Sequence, residues 1–260
     1  MMPLTVSHDE RSTRIQSVSR ASRLLLEVAS RPAGATELAA ATGLAVPTAH
    51  HLLSTLCHEG LLGRTDDRGY VLGPQVAVLV DGYLRDGTPD FLMTPLATLA
   101  HETSETVYLT AWRGGEIHAL HSIEGEGAVR VAPVERGRYR FPHARATGKL
   151  LLAYARPERR ERLLGDEPLE SFTGRTITDR VLLERELTEI RKRGWAEDHE
   201  EFRDGVACIA VPALLGDIVL AAYTVACPAE RLPARRDDLL SAARRAAAVA
   251  AAHPDAGEQS

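Results

Sequence analysis

Apolar residues near the amino end recur at helical spacing. Ile15, Val18, Leu25 and Val28, with Ala21, Leu24 and Ala29 filling in, mark one face of a helix. Arg31-Pro32-Ala33-Gly34 stops it. Thr36 is expected to cap a short second helix over 37–42, with the acid Glu37 in its first turn. Gly43 can take the left-handed turn that ends it. Pro47 suits the first turn of a third helix, which runs through Leu56 and ends near Gly60. Residues 61–65 and 70–72 read as strands around the turn Asp66-Asp67-Arg68-Gly69. Three short helices closed by a hairpin predict a winged helix-turn-helix over 14–73. Its recognition helix would enter a DNA major groove, about 12 Å wide. The same geometry also occurs as a purely structural helical core.

Pro74 opens an apolar connecting helix over 75–85, within a linker of 74–87, and Asp86-Gly87-Thr88-Pro89 is the most hinge-like stretch. Helical spacing resumes over 89–105, with Pro95 a point of kinking. Alternation then takes over. Val107, Leu109 and Ala111 fall on one strand face, and Tyr108, Thr110 and Trp112 on the other. A turn at Arg113-Gly114-Gly115-Glu116 leads into a strand over 117–123, and 129–132 reads as a short third strand. Helices follow over 144–155 and 157–164. Thr178 or Asp179 caps another, with Leu183, Leu187 and Ile190 on one face and Arg191-Lys192-Arg193-Gly194 at its end. Strands are expected over 195–198, 206–211 and 218–226, then an alanine-rich helix over 233–252. The pattern predicts an α+β domain with an antiparallel sheet over 88–253. Residues 1–13 and 254–260 are expected to be disordered tails.

Composition narrows the classes. With 44% hydrophobic and 26% charged residues, a fibrous or wholly disordered chain is excluded. The net charge of −5 excludes a protein coated in basic residues. The charge is uneven, however: residues 11–72 hold seven arginines against five acids. A slightly positive head on an acidic body fits a DNA-binding module joined to something else. Cys57, Cys208 and Cys227 lie far apart with no CxxC pair, so a reducing compartment is expected and a disulfide scaffold is not. The first dozen residues contain no apolar core, so no secretory signal is expected. The apolar run 218–227 is about half the roughly 20 residues a membrane span needs. A cytoplasmic protein away from membranes is the expectation.

Enzyme motifs fail on inspection. His101-Glu102-Thr103-Ser104-Glu105 has Glu105 where HExxH needs its second histidine. Thr147-Gly148-Lys149 echoes a phosphate loop, but His143 and Leu150 occupy positions where GxxxxGK[ST] needs glycine and a hydroxyl. Neither GxSxG nor GxGxxG occurs. His118 and His121 are an odd number of residues apart on one strand, so they are expected to face opposite sides. No catalytic residue, metal site or cofactor is expected.

The run Ser17-Val18-Ser19-Arg20-Ala21, Glu37-Leu38-Ala39, Gly43-Leu44, the stretch 48–56 and Gly69-Tyr70-Val71-Leu72-Gly73 resembles the DNA-binding head of IclR-family bacterial transcription regulators. Downstream, the stretch 143–149, Thr176-Ile177-Thr178-Asp179, Arg193-Gly194-Trp195-Ala196, Asp198-His199-Glu200-Glu201 and the stretch 205–212 resemble, in order, signatures of that family's effector domain. The resemblance covers about residues 14–250 and implies a GAF/PAS-like effector domain after the winged head.

It implies site residues as well. Thr48, His50 and His51 on the recognition helix, Arg64 and Arg68 on the wing, and Arg20, Arg23 and Thr36 are the candidate DNA contacts. Val46, Pro47 and His51 depart from the family's more basic pattern there. In the effector domain the resemblance points to Ala146, Thr147 and Gly148 at a helix start, to Asp198, to Cys208 with Ile209 beside it, and to Thr224 and Ala226. Ala226 lacks the family's hydroxyl. Independently of the family, a helix's free first-turn N–H groups suit a carboxylate, and Arg145 could clamp one. The segment Asp198-His199-Glu200-Glu201 reads equally as a solvated loop, and Cys208 as plain core. The expected protein is a homodimer, or a dimer of dimers, that binds double-stranded operator DNA and a small-molecule effector, in the sense of a repressor. A metabolite-binding interaction module, a metal sensor and a small hydrolase are the alternatives.

Overall fold

The computed structural model describes residues 15–66, 69–85 and 88–252. Arg68 and the expected tails 1–13 and 254–260 lie outside them. The chain divides between Gly87 and Thr88 into two units.

The first unit holds α1 (Gln16–Ser30), α2 (Ala35–Thr42), α3 (Val46–His58), β1 (Leu62–Arg64), β2 (Tyr70–Leu72) and α4 (Gln75–Arg85). Leu24, Val28, Leu38, Leu53, Leu56 and Tyr70 form its core. Gly43, at φ 66, lets the chain leave α2 while the Leu44 N–H returns to the Ala39 carbonyl at 2.9 Å. The hairpin pairs Leu62 with Leu72 and Arg64 with Tyr70. Thr36 does not cap α2. The helix starts two residues earlier, after an extended Gly34 whose N–H donates to the Glu37 carboxylate at 3.4 Å. Thr36 stands exposed in the first turn instead. The apolar side chains Ile15, Val18, Val78, Leu79 and Val80 are exposed within this unit.

The second unit runs α5 (Asp90–Thr103), β3 (Thr106–Arg113), β4 (Glu116–Ile123), β5 (Gly137–Arg138), a 3-10 turn (Pro142–Ala144), α6 (Ala146–Tyr154), α7 (Pro157–Leu164), α8 (Arg180–Arg193), β6 (Ala196–His199), β7 (Val206–Leu215), β8 (Ile218–Pro228) and α9 (Leu232–Ala252). One antiparallel sheet has strand order β5-β4-β3-β8-β7-β6. Helices α5 and α9 cover one face through Leu96, Leu99, Leu239 and Ala243, packed on Leu109, Ile209 and Tyr223. The other face carries Tyr108, Cys208, Ala210 and Ala226, packed with Leu150 and Leu151 of α6 and Leu187 and Ile190 of α8. Strand alternation divides the residues between the two faces. Asp179 rather than Thr178 caps α8, accepting the Leu182 N–H at 2.9 Å.

Two expectations are corrected here. Residues 129–132 form no strand; the strand beside β4 is Gly137–Arg138. Side chains hold the earlier stretch instead of a ladder. The Thr106 hydroxyl donates to the Val131 carbonyl at 2.5 Å, and Arg231 Nη2 donates to the Val129 carbonyl at 2.8 Å. Pro133, next along, has no N–H to offer. His118 and His121 do not face opposite sides. A bulge pairs His121 with Leu109 and His118 with Ala111, two residues that share the α5/α9 side. One extra residue breaks the two-residue period.

Candidate functional site

A cavity of about 420 Å³ opens on the α6 side of the sheet, beneath the strap that joins β4 to β5. Its floor comes from alternate strand positions: Tyr108 of β3, Cys208 of β7 and Ala226 of β8. The Tyr108 hydroxyl lies 3.3 Å from that of Tyr139 and donates to Cys208 Sγ at 3.7 Å. Burial makes all three groups weaker acids: the Tyr139 phenol is pushed up to about 12, and Tyr108 and Cys208 also titrate well above their usual ranges. The floor is therefore neutral and able to hydrogen-bond.

Arg145 is the cation of this site. It occupies the extended residue before α6, and its guanidinium is sandwiched 3.9 Å from the Tyr139 ring and 4.3 Å from the Phe202 ring. Stacking on two rings fixes the plane of the fork and leaves its edge N–H groups free to point along the cavity. Phe202 is held by Phe172 at 5.0 Å, which meets Phe141 at 4.7 Å. Arg138, Arg140 and Arg203 stand around the cavity with Glu135, so cations predominate along its wall.

Asp198 lines the same cavity and feels the charge of Arg145. It is 3% exposed, and its Oδ1 accepts the Glu201 N–H at 2.7 Å. Burial pushes its carboxyl up to about 6, against the pull of that N–H, of Lys149, of the Phe202 N–H and of Arg145. Behind it Lys149, fully buried on α6, pairs with Glu201 Oε1. Burial carries the Glu201 carboxyl up to about 7 despite that partner. The turn bearing Glu201 is held by the Thr173 hydroxyl on the Glu200 carbonyl at 2.7 Å and the Thr176 hydroxyl on the Glu201 carbonyl at 2.5 Å.

Of the residues expected at an effector site, Arg145, Asp198, Cys208 and Ala226 line one cavity. The others do not. Ile209 points into the α5/α9 layer because neighbours on a strand alternate. The hydroxyls of Thr147 and Thr224 bond to each other, so both are spent inside the core. Ala146 and Gly148 are buried in the first turn of α6. At Gly148 an added Cβ would lie 2.2 Å from the Pro142 carbonyl oxygen, so glycine serves close packing of α6 on the turn before it. Tyr108, Tyr139, Phe202, Lys149 and Glu201 also belong to the site. Lys149 and Glu201 lie within signature stretches but carry no expected role, because their pairing spans 52 residues, and no local pattern signals Tyr108, Tyr139 or Phe202.

In the first unit, α3 buries Ala49, Leu53 and Leu56 and turns His50 and His51 outward, with Thr48 half-buried beside them. The helix carries no acid. Arg64 projects from the wing with Nη2 donating to the Tyr70 hydroxyl at 3.0 Å. Arg23 is exposed on α1, and Arg20 donates to Gln16 Oε1 at 3.1 Å. Thr36 lies on α2, the first helix of the motif. The exposed face is neutral to cationic, as a phosphate-contacting surface needs.

Both units match known proteins in the same order. The IclR helix-turn-helix domain matches residues 17–66, and the C-terminal domain of the bacterial transcriptional regulator IclR matches 91–252. The chain is similar to the HTH-type transcriptional regulator BhcR of Paracoccus denitrificans, 33% identical over 86% of this chain and 83% of that one. It is similar to the transcriptional repressor IclR of Escherichia coli, 28% identical over 76% of this chain and 74% of that one. The crystal structure of an IclR transcriptional regulator from Alicyclobacillus acidocaldarius superposes with a TM-score of 0.58 at 25% identity, covering 92% of this chain and 98% of that one. The matching families and these relatives are transcriptional regulators. With both halves of its length matched, the chain belongs to the IclR family: it is a DNA-binding transcriptional regulator with a C-terminal effector-binding domain.

Proposed function

We propose that this regulator is a cytoplasmic repressor whose cavity holds a small organic acid and whose operator occupancy that acid controls. The observation that carries the effector class is the guanidinium of Arg145, stacked between Tyr139 and Phe202 and turned toward a neutral hydroxyl floor. A pre-oriented fork in a part-buried wall suits a carboxylate held by two charge-assisted hydrogen bonds. Asp198, in the same cavity, suits a hydroxyl or amide donor of the same molecule. The sense of a repressor is supported by the Escherichia coli relative's name. No described helix is long and apolar enough to cross a membrane.

Operator binding falls to the α3 face, with Thr48, His50 and His51 at the base edges and Arg64, Arg68, Arg20 and Arg23 on phosphates; Thr36 sits where the first helix of the motif crosses the backbone. One small head makes few phosphate contacts, so two are needed on paired half-sites. The exposed apolar residues of α1 and α4 supply a surface on which a second chain can close. The test is binding of the full chain to operator DNA, with stoichiometry from sedimentation. We expect two chains per site, or four, and at least about a tenfold loss of affinity between about 50 and 200 mM salt. A salt-independent affinity, or one chain per site, overturns this reading of the head.

A further inference from the structure

We propose that Glu201 and Lys149 form a positioning pair through which the cavity takes up an anionic effector together with a proton, shared between Asp198 and Glu201, so that operator occupancy follows acidity as well as effector. The inference rests on the reading of the cavity as a carboxylate site.

The geometry sets the charge balance. The Glu201 N–H joins that residue to Asp198 Oδ1 at 2.7 Å, and the single ammonium of Lys149 reaches Glu201 Oε1. Glu201 Oε2 is buried and has no hydrogen-bond partner. Two carboxylates thus share one buried ammonium, and one carboxylate oxygen is left where a hydroxyl proton fits. The groups that face this pair come from every surrounding element. Arg145 acts from the start of α6, Tyr139 from beyond β5, and Cys208 from β7. Tyr108 of β3 touches Cys208 and Tyr139, and Glu186 of α8 presses on Glu201. His143 lies near Lys149. Glu186 is itself paired with Arg193 at 2.8 Å, so that guanidinium does not neutralise the cluster. Besides Lys149, Arg145 is the cation whose charge acts on Asp198, and an incoming carboxylate engages it.

Once the effector's charge occupies Arg145, the Asp198 carboxylate, itself buried, faces a like charge. Protonation removes the repulsion, and burial has already brought both carboxyls close to neutral range, Asp198 to about 6 and Glu201 to about 7. The proton belongs to the pair rather than to either residue. Binding is then written as effector anion plus one proton, both entering together; no bond is made or broken other than that O–H.

The experiment titrates the full-length chain with benzoate, which remains an anion across the range, by calorimetry in phosphate and in Tris. The different ionisation heats of the two buffers count protons. We expect uptake of about half to one proton per benzoate near neutral pH. Affinity should fall by up to about tenfold per pH unit as the pH rises from about 6.5 to 8. Glu201→Gln should cut the uptake by half or more and flatten the profile. Asp198→Asn should do the same and bind benzoate more tightly than the unaltered chain at the alkaline end. If Glu201→Gln does not fold, Asp198→Asn carries the same test. Benzoate binding with buffer-independent heat and pH-independent affinity overturns the inference and leaves the carboxylate site standing. A Glu201→Gln profile identical to the unaltered one removes the positioning role. If neither benzoate nor any of a panel of small carboxylates binds, the carboxylate reading falls and this inference falls with it.

Discussion

Arg145→Ala is expected to abolish the response to a carboxylate effector while leaving operator binding in its absence unchanged. The side chain supplies the only cation stacked on two rings within the cavity wall, against Tyr139 and Phe202. Charge-assisted hydrogen bonds contribute about 1.5–3 kcal/mol each. Loss of a bidentate pair therefore lowers effector affinity by at least about a hundredfold, as calorimetry on the full chain would read. Arg145→Lys separates charge from geometry. It keeps the cation but loses the fork and the stacking, so only part of the affinity should return. An Arg145→Ala chain with unaltered affinity for a carboxylate would move the anion site to Arg138, Arg140 or Arg203 at the cavity wall.

A comparable loss, of stability rather than of ligand, is expected from Glu105→Ala. Glu105 is 1% exposed at the start of β3. It accepts from Arg231 Nη1 at 2.9 and 3.1 Å and from Arg235 Nη1 at 2.7 Å. The same guanidiniums donate onward to the Val129 and Thr103 carbonyls at 2.8 and 2.9 Å. One carboxylate thus fastens the start of α9 to the sheet, to the end of α5 and to the strap over the cavity. Removing it leaves two part-buried cations facing each other. Breaking a buried pair costs about 3–5 kcal/mol. Water reaches both arginines, so a value near the lower limit, about 3 kcal/mol, is expected. That corresponds to a fall of about 6–12 °C in the melting temperature of the C-terminal unit. Effector affinity should weaken as well, since the strap that walls the cavity loses its Arg231 tether. A loss under about 1 kcal/mol would mean that solvent already carries the arginines and that the clamp is superficial.

Most of the architecture is legible along the chain because it follows from local periodicity. Leu183, Leu187 and Ile190 announce α8, and the alternation of Val107 to Trp112 announces both faces of β3. The misreadings occur where a single residue changes the period or where a side chain substitutes for a ladder. The bulge in β4 puts His118 and His121 on one side, and Thr106 and Arg231 hold 129–132 without strand pairing. At the site, Arg145, Asp198 and Cys208 could be found from helix-start chemistry and family signatures. The aromatic sandwich around Arg145 could not, because Tyr139 and Phe202 come from separate loops. Nor could the partner of Lys149, which lies 52 residues away. Thr147 and Thr224 show the converse. Their hydroxyls look suited to a ligand, yet across 77 residues of sequence they satisfy each other.

The most direct measurement follows operator occupancy by the full chain as a panel of small carboxylates is titrated, in parallel with Cys208→Trp. An indole at Cys208 would fill the floor beside Tyr108, at a packing cost of about 1–3 kcal/mol, and would leave every residue of α3 unchanged. If the cavity governs DNA binding, at least one acid shifts occupancy by about tenfold or more in the unaltered chain. The Cys208→Trp chain then binds operator as before and ignores every acid. A carboxylate response that survives in Cys208→Trp, or an operator complex that no small carboxylate moves, contradicts control through this cavity.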